Sequence, residues 1–135
     1  RMAHSQSVGT WVHYAVTATV LTQAVTFYVN GTATTGTNTL TGGDAIFDGT
    51  APFRIGAGNG GTASFLDGLV DDVRVWSVVR TGTEISDNRS LQLVGNETNL
   101  QGYWRLNDSL LDQTANDNDL TNNGLALFST DVPFT

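Results

Sequence analysis

The chain has 135 residues, with 6 Lys+Arg against 13 Asp+Glu, a formal net charge of −7. All six cations are arginines, scattered at Arg1, Arg54, Arg74, Arg80, Arg89 and Arg105, which argues against binding to nucleic-acid phosphates. Cysteine is absent, so disulfides, thiolate metal sites and cysteine nucleophiles are excluded. Charged residues make up 14% of the chain against about 25% in an average domain, and Gly, Thr and Asn are abundant, a polarity suited to strands and turns rather than exposed helices. No apolar run approaches the ~18 residues of a membrane span, and no basic-then-apolar leader precedes the first strand, so no membrane insertion is expected. Arg1 standing before Met2 suggests a processed or excised start.

In chain order, Trp11 to Val20 is rich in β-branched and aromatic residues and predicts a strand. Val25 to Val29 alternates, with Val25, Phe27 and Val29 on one side and Thr26 and Tyr28 on the other. It ends in Asn30-Gly31, a strong two-residue hairpin signal. Thr32 to Gly43 fits either an edge hairpin or a loop. Pro52 to Gly58 predicts a short strand, and Ser64 to Trp76 one long strand or two bent at Gly68. Thr81-Gly82-Thr83-Glu84 matches a capping box and predicts one short helix near 81–89. Leu100 to Leu106 and Leu125 to Phe128 complete the strands, with Trp11, Phe27, Ile55, Val73 and Trp104 as core candidates. Seven or more short strands and one helix indicate an all-β sandwich or jelly roll.

The strand Trp11-Val12-His13-Tyr14-Ala15, the turn Phe27-Tyr28-Val29-Asn30-Gly31, Phe53-Arg54-Ile55-Gly56, the run Phe65 to Trp76 and Thr83-Glu84-Ile85 stand in a fixed order. Together they resemble the second half of a laminin G-like domain of the concanavalin A-like lectin/glucanase superfamily. The resemblance implies a two-sheet antiparallel jelly-roll sandwich. Gly102 to Asn107 and the Asp/Asn-rich stretch after Leu111 look like the opening strand and loop of the same family, which normally come first. The chain is therefore expected to form one sandwich, with 1–95 matching the family's C-terminal half and 99–135 its N-terminal opening segment. It is either a permuted domain or a piece of a tandem array that associates with itself through exposed strands.

The resemblance implies non-enzymatic binding of a glycan or an extracellular protein, in a larger protein outside the cell or on a particle surface. The alternative is a structural or adhesive component of a phage, viral or bacterial surface assembly with no sugar pocket. Catalysis is not expected. The only glutamates are Glu84, a helix cap, and Glu97, and a glycosidase needs two carboxylates placed across the scissile bond. The glycine-rich run Gly56 to Gly61 lacks the helix a dinucleotide site requires. The four sequons at Asn30, Asn88, Asn96 and Asn107 are read as unmodified. The dense oxygen donors Asp112, Asn116, Asn118 and Asp119 suit either calcium or tight, solvated turns; the resemblance implies that a structural calcium, if bound, sits where this loop meets the strand carboxylates Asp71 and Asp72. For a ligand, the aromatic side chains of Tyr28, Trp76 and Tyr103 are the candidate platforms, each of them equally suited to the core, with Asn59 as a polar partner on a neighbouring loop.

Overall fold

The computed structural model describes residues 9–19, 21–34, 38–39, 49–124 and 126–133. The chain divides into two compact units, one built from 1–46 and 78–92, the other from 47–77 and 93–133.

In the first unit, strands β1 (Tyr14–Thr19) and β2 (Ala24–Val29) pair antiparallel, with Tyr14 opposite Val29 and Thr19 opposite Ala24. The tight turn after β2 follows from Asn30-Gly31, both at positive φ (48° and 80°), and the Asn30 side chain accepts the His13 N–H at 3.0 Å. Beyond β2 lie two short strands, β3 (Thr32–Ala33) and β4 (Asn38–Thr39), making a four-stranded sheet. Helix α1 (Gly82–Asn88) starts where the capping box demands. Thr81 Oγ1 accepts the Glu84 N–H, and the Glu84 carboxylate accepts the Thr81 N–H at 2.8 Å. The N–H donated by Thr81, then its hydroxyl, hold the Glu84 carboxyl below its ordinary value. The helix lies against the β2–β3 turn, where a side chain on Gly31 would meet Ser86 Cα at 2.8 Å.

In the second unit, β5 (Val73–Trp76) and β6 (Leu100–Trp104) pair antiparallel. Val73 faces Trp104 and Arg74 faces Tyr103, with a bulge between Val75 and Trp76. The strand that resembles a family opening thus closes a sheet with its own chain. Buried Leu93, Leu100 and Tyr103 form the core, with Trp76 packed against them.

Several expected strands are shorter or missing. Trp11 to His13 precede β1 rather than extending it. Ser64 and Asp72 both take left-handed φ (56° each), which interrupts the extended run, so only Val73–Trp76 of the predicted 64–76 strand is regular. The 52–58 stretch forms no strand. Pro52 offers no N–H, Gly56 turns at φ 77°, and only an isolated bridge joins Gly58 to Ala63. Ala126 to Phe128 is irregular and Leu127 is 90% exposed, while Leu125 and most of the 35–48 stretch lie outside the described residues. Of the five core candidates only Trp104 is buried; Trp11, Phe27, Ile55 and Val73 are half-buried.

Candidate functional site

The second unit holds most of the residues singled out for chemistry. Tyr103 is wholly buried (0% exposed) on one face of β6. Its cross-strand partner Arg74 and its same-face neighbour Arg105 bring guanidinium carbons to 5.6 Å from the ring centroid. The Tyr103 hydroxyl accepts the Leu93 N–H at 3.2 Å, and Arg105 donates to the Leu93 carbonyl at 2.7 Å. Burial pushes the Tyr103 hydroxyl above its ordinary pKa, and its hydrogen bond to the Asp72 carboxylate pushes it further. Asp72 also forms an ion pair with Arg74. Tyr103 therefore anchors the core through its ring and its hydroxyl, with no surface of its own exposed.

On the other face of β6, the Trp104 indole lies over Gly102, where a side chain would run into the ring. Its N–H donates to the Asn118 carbonyl at 2.9 Å. Phe53 stacks on it with centroids 5.4 Å apart and an interplanar angle of 23°. Phe53 itself is 57% exposed.

The Asp/Asn stretch runs along the open edge of β6. The Gln113 N–H donates to the Tyr103 carbonyl at 2.8 Å. Asp112 Oδ1 accepts the Tyr103 and Thr114 N–H groups at 2.9 and 3.0 Å. Asp112 Oδ2 accepts the Thr114 hydroxyl at 2.9 Å and the Asn118 N–H at 3.1 Å. Asn116 and Asn118 both direct their Nδ2 groups to the Gln101 carbonyl, and Asp119 Oδ1 accepts the Asp112 N–H. Burial raises the Asp112 carboxyl, but the N–H groups of Thr114, Tyr103 and Asn118 outweigh it and hold the pKa below its ordinary value. Asp71 goes the other way: burial raises it and the Asp72 charge adds to the rise, against one backbone hydrogen bond.

These residues do not fit a calcium ion. An ionised carboxylate offers about four lone-pair positions, and four protein donors take them all at Asp112. A cation at Asp72 would face the Arg74 guanidinium. Among the described residues no three His, Asp or Glu side chains converge on a point that could hold a metal. Of the expected six ligands, Asp112, Asn116, Asn118 and Asp119 come together, but as hydrogen-bonding groups around the β6 edge.

The expected ligand platforms fare similarly. Tyr28 is buried at 9% exposure, with Gly82 of α1 against its ring. Trp76 packs on the Leu93–Leu100–Tyr103 core. Asn59 opens the short 3₁₀ turn Asn59–Gly61. Glu97 is also committed: its carboxylate accepts the Val94 and Gly95 N–H groups at 2.8 and 2.9 Å. Gly95 is held at φ 103°, where a side chain would run into the Gln113 carbonyl. The sequence reasoning missed the arginines flanking Tyr103 and the exposed Phe53. Nothing in the sequence pairs Arg74 with Tyr103; the register of β5 on β6 sets the two directly opposite.

A family model described as the concanavalin A-like lectin/glucanases superfamily, of laminin G type, matches residues 2–86, more than half of the chain. The chain belongs to this superfamily. No curated protein and no solved structure gave a match. The antiparallel sheets, the one short α-helix among the described residues and the order of the motifs from Trp11 to Ile85 agree with a small all-β laminin G-like domain. Laminin G-like domains generally serve as non-enzymatic binding modules. The matched residues stop at 86, so β6 and the Asp112–Asp119 loop lie beyond them. No helix among the described residues is long and apolar enough to cross a membrane.

Proposed function

We propose that the chain is a non-catalytic recognition module of a larger extracellular protein, with a carbohydrate as its partner. The observation that carries this reading is Phe53. One face of its ring rests on Trp104, and the side chain is more than half exposed. A fixed ring with an open face suits the apolar side of a sugar ring. The commitment of the carboxylates supports the non-catalytic part. Glu84 caps α1, Glu97 pins the 94–97 turn, Asp112 is saturated and Asp72 is ion-paired. A glycosidase needs two carboxyl groups about 5–9.5 Å apart across the bond it cleaves.

The test is glycan-array binding of the fluorescently labelled chain beside its Phe53→Ala variant. Saturable binding to a glycan class, weakened at least about tenfold in the variant while its melt stays cooperative, supports the reading; tenfold is about 1.4 kcal/mol, within the range of one stacking contact. Bound glycans should also be released uncleaved. Binding unchanged in the variant, or new reducing ends that vanish with Glu84→Gln and Glu97→Gln, overturns it. A second reading is a structural or adhesive part of a particle or surface assembly. It draws on Tyr14 and Val16 of β1, exposed at 50% and 60%. An empty glycan array together with concentration-dependent self-association would favour it.

A further inference from the structure

A calcium ion in a loop of this composition would gather its oxygen atoms and hold the loop shut. Here the gathering is done from the opposite side of the charge balance. One buried carboxylate, Asp112, collects donors from three places: Tyr103 on β6, Thr114 two residues on, and Asn118 at the far end of the loop. Asp112 and Thr114 are 8% and 6% exposed, so these bonds are shielded from water. To ligate a cation, Asp112 would have to release at least one donor. Releasing the Tyr103 or the Thr114 amide would leave a buried N–H without its acceptor, a cost that opposes cation binding. The two asparagines add a second fastening, since both amide nitrogens meet the Gln101 carbonyl, at 3.0 and 3.1 Å. Asp119 supplies a third by accepting the Asp112 N–H at 2.9 Å.

We propose that the Asp112–Asp119 loop is a cation-independent clasp: the Asp112 carboxylate takes the place a calcium ion would hold, and closes the loop onto the β6 edge. The chain then folds and stays folded without divalent ions. The clasp also ties the segment beyond the family match to the sheet it completes.

The experiment uses the full chain and three measurements. Thermal melts in calcium chloride and in EDTA should coincide, and calorimetric titration with calcium should give no saturable heat. A calcium-dependent rise in Tm, or a saturable heat that disappears in Asp112→Asn, overturns the proposal. Asp112→Asn should lower Tm by the same amount in both buffers, because an amide keeps one acceptor oxygen and turns an N–H group toward donors. Hydrogen exchange should speed up at the Tyr103, Thr114 and Asn118 amides in that variant. A variant that melts and exchanges like the parent overturns the clasp. If Asp112→Asn does not fold, Asn118→Ala gives a milder opening. It should speed exchange in 112–118 equally with and without calcium, and rescue by calcium would overturn the proposal.

Discussion

Replacing Tyr103 by Phe removes one oxygen atom from a side chain with no exposure at all. The ring stays between Arg74 and Arg105, so the packing and the two cation–π contacts survive. What goes is the acceptor for the Leu93 N–H, in a residue only 7% exposed, and the hydroxyl that meets Asp72. A buried donor left without a partner costs about 1–3 kcal/mol, and that is the expected loss. Tyr103→Leu additionally removes the ring. Two guanidinium contacts at about 0.5–1 kcal/mol each, together with the lost ring volume, bring its cost to about 3–5 kcal/mol. Urea denaturation monitored by tryptophan fluorescence measures both, since Trp76 and Trp104 lie on the two strands of the same sheet. An ultraviolet titration of the parent supplies a second check. Tyr103 should resist ionisation well into the alkaline range, because burial and the Asp72 carboxylate both oppose the phenolate. A Tyr103→Phe loss below about 0.5 kcal/mol, or equal losses for both variants, would refute the double role of this residue.

In the first unit, Gly31→Ala should cost about 2 kcal/mol or more, because the φ of 80° and the 2.8 Å approach to Ser86 Cα both oppose a side chain. Chemical denaturation checks this, and Thr32→Ala, on the exposed neighbour, serves as control. The pH dependence follows from Asp112. Its carboxyl sits below the ordinary 3.8 in the fold and returns to it on unfolding. Its contribution is therefore complete above about pH 5 and is lost as pH falls through the lower, folded value. Melts at decreasing pH should show a stability loss that is smaller in Asp112→Asn, and parallel acid profiles for the two chains would contradict the assignment.

The local signals were the legible part of the sequence. Asn30-Gly31 demanded a tight hairpin turn and Thr81 to Glu84 a helix start, because both are decided within four residues by backbone φ and by caps. The family pattern from Trp11 to Ile85 was equally plain, since five motifs in order outweigh any one of them. Burial was less legible. Tyr28, Trp76 and Tyr103 carry a polar atom and a large apolar body, and alternation alone does not say which face of a strand is covered. Phe53 showed the converse, an apolar residue in a predicted strand that ended up exposed on top of Trp104. The bonding of the Asp/Asn loop was not legible for a different reason. Composition counts oxygen atoms but not the donors that will claim them: one comes from Tyr103, nine residues earlier, and three from Thr114 and Asn118 within the loop itself. Nor does composition reveal that Ser64 and Asp72 turn left-handed and cut a long strand short.

The fastening of Asn116 and Asn118 to Gln101 bears on how the protein ages. Both amide nitrogens act as donors to a single carbonyl oxygen. Slow hydrolysis of either amide in storage replaces a donor with a negatively charged acceptor facing that same oxygen, so attraction becomes repulsion. The change also adds negative charge beside Asp117 and Asp119, in a chain already at −7. Damage of this kind would peel the loop from β6 and uncover backbone groups able to recruit a strand from another molecule. Lots of the protein kept for long periods would then lose solubility by a chemical route that begins at two exposed asparagines, well before the buried core around Tyr103 is touched.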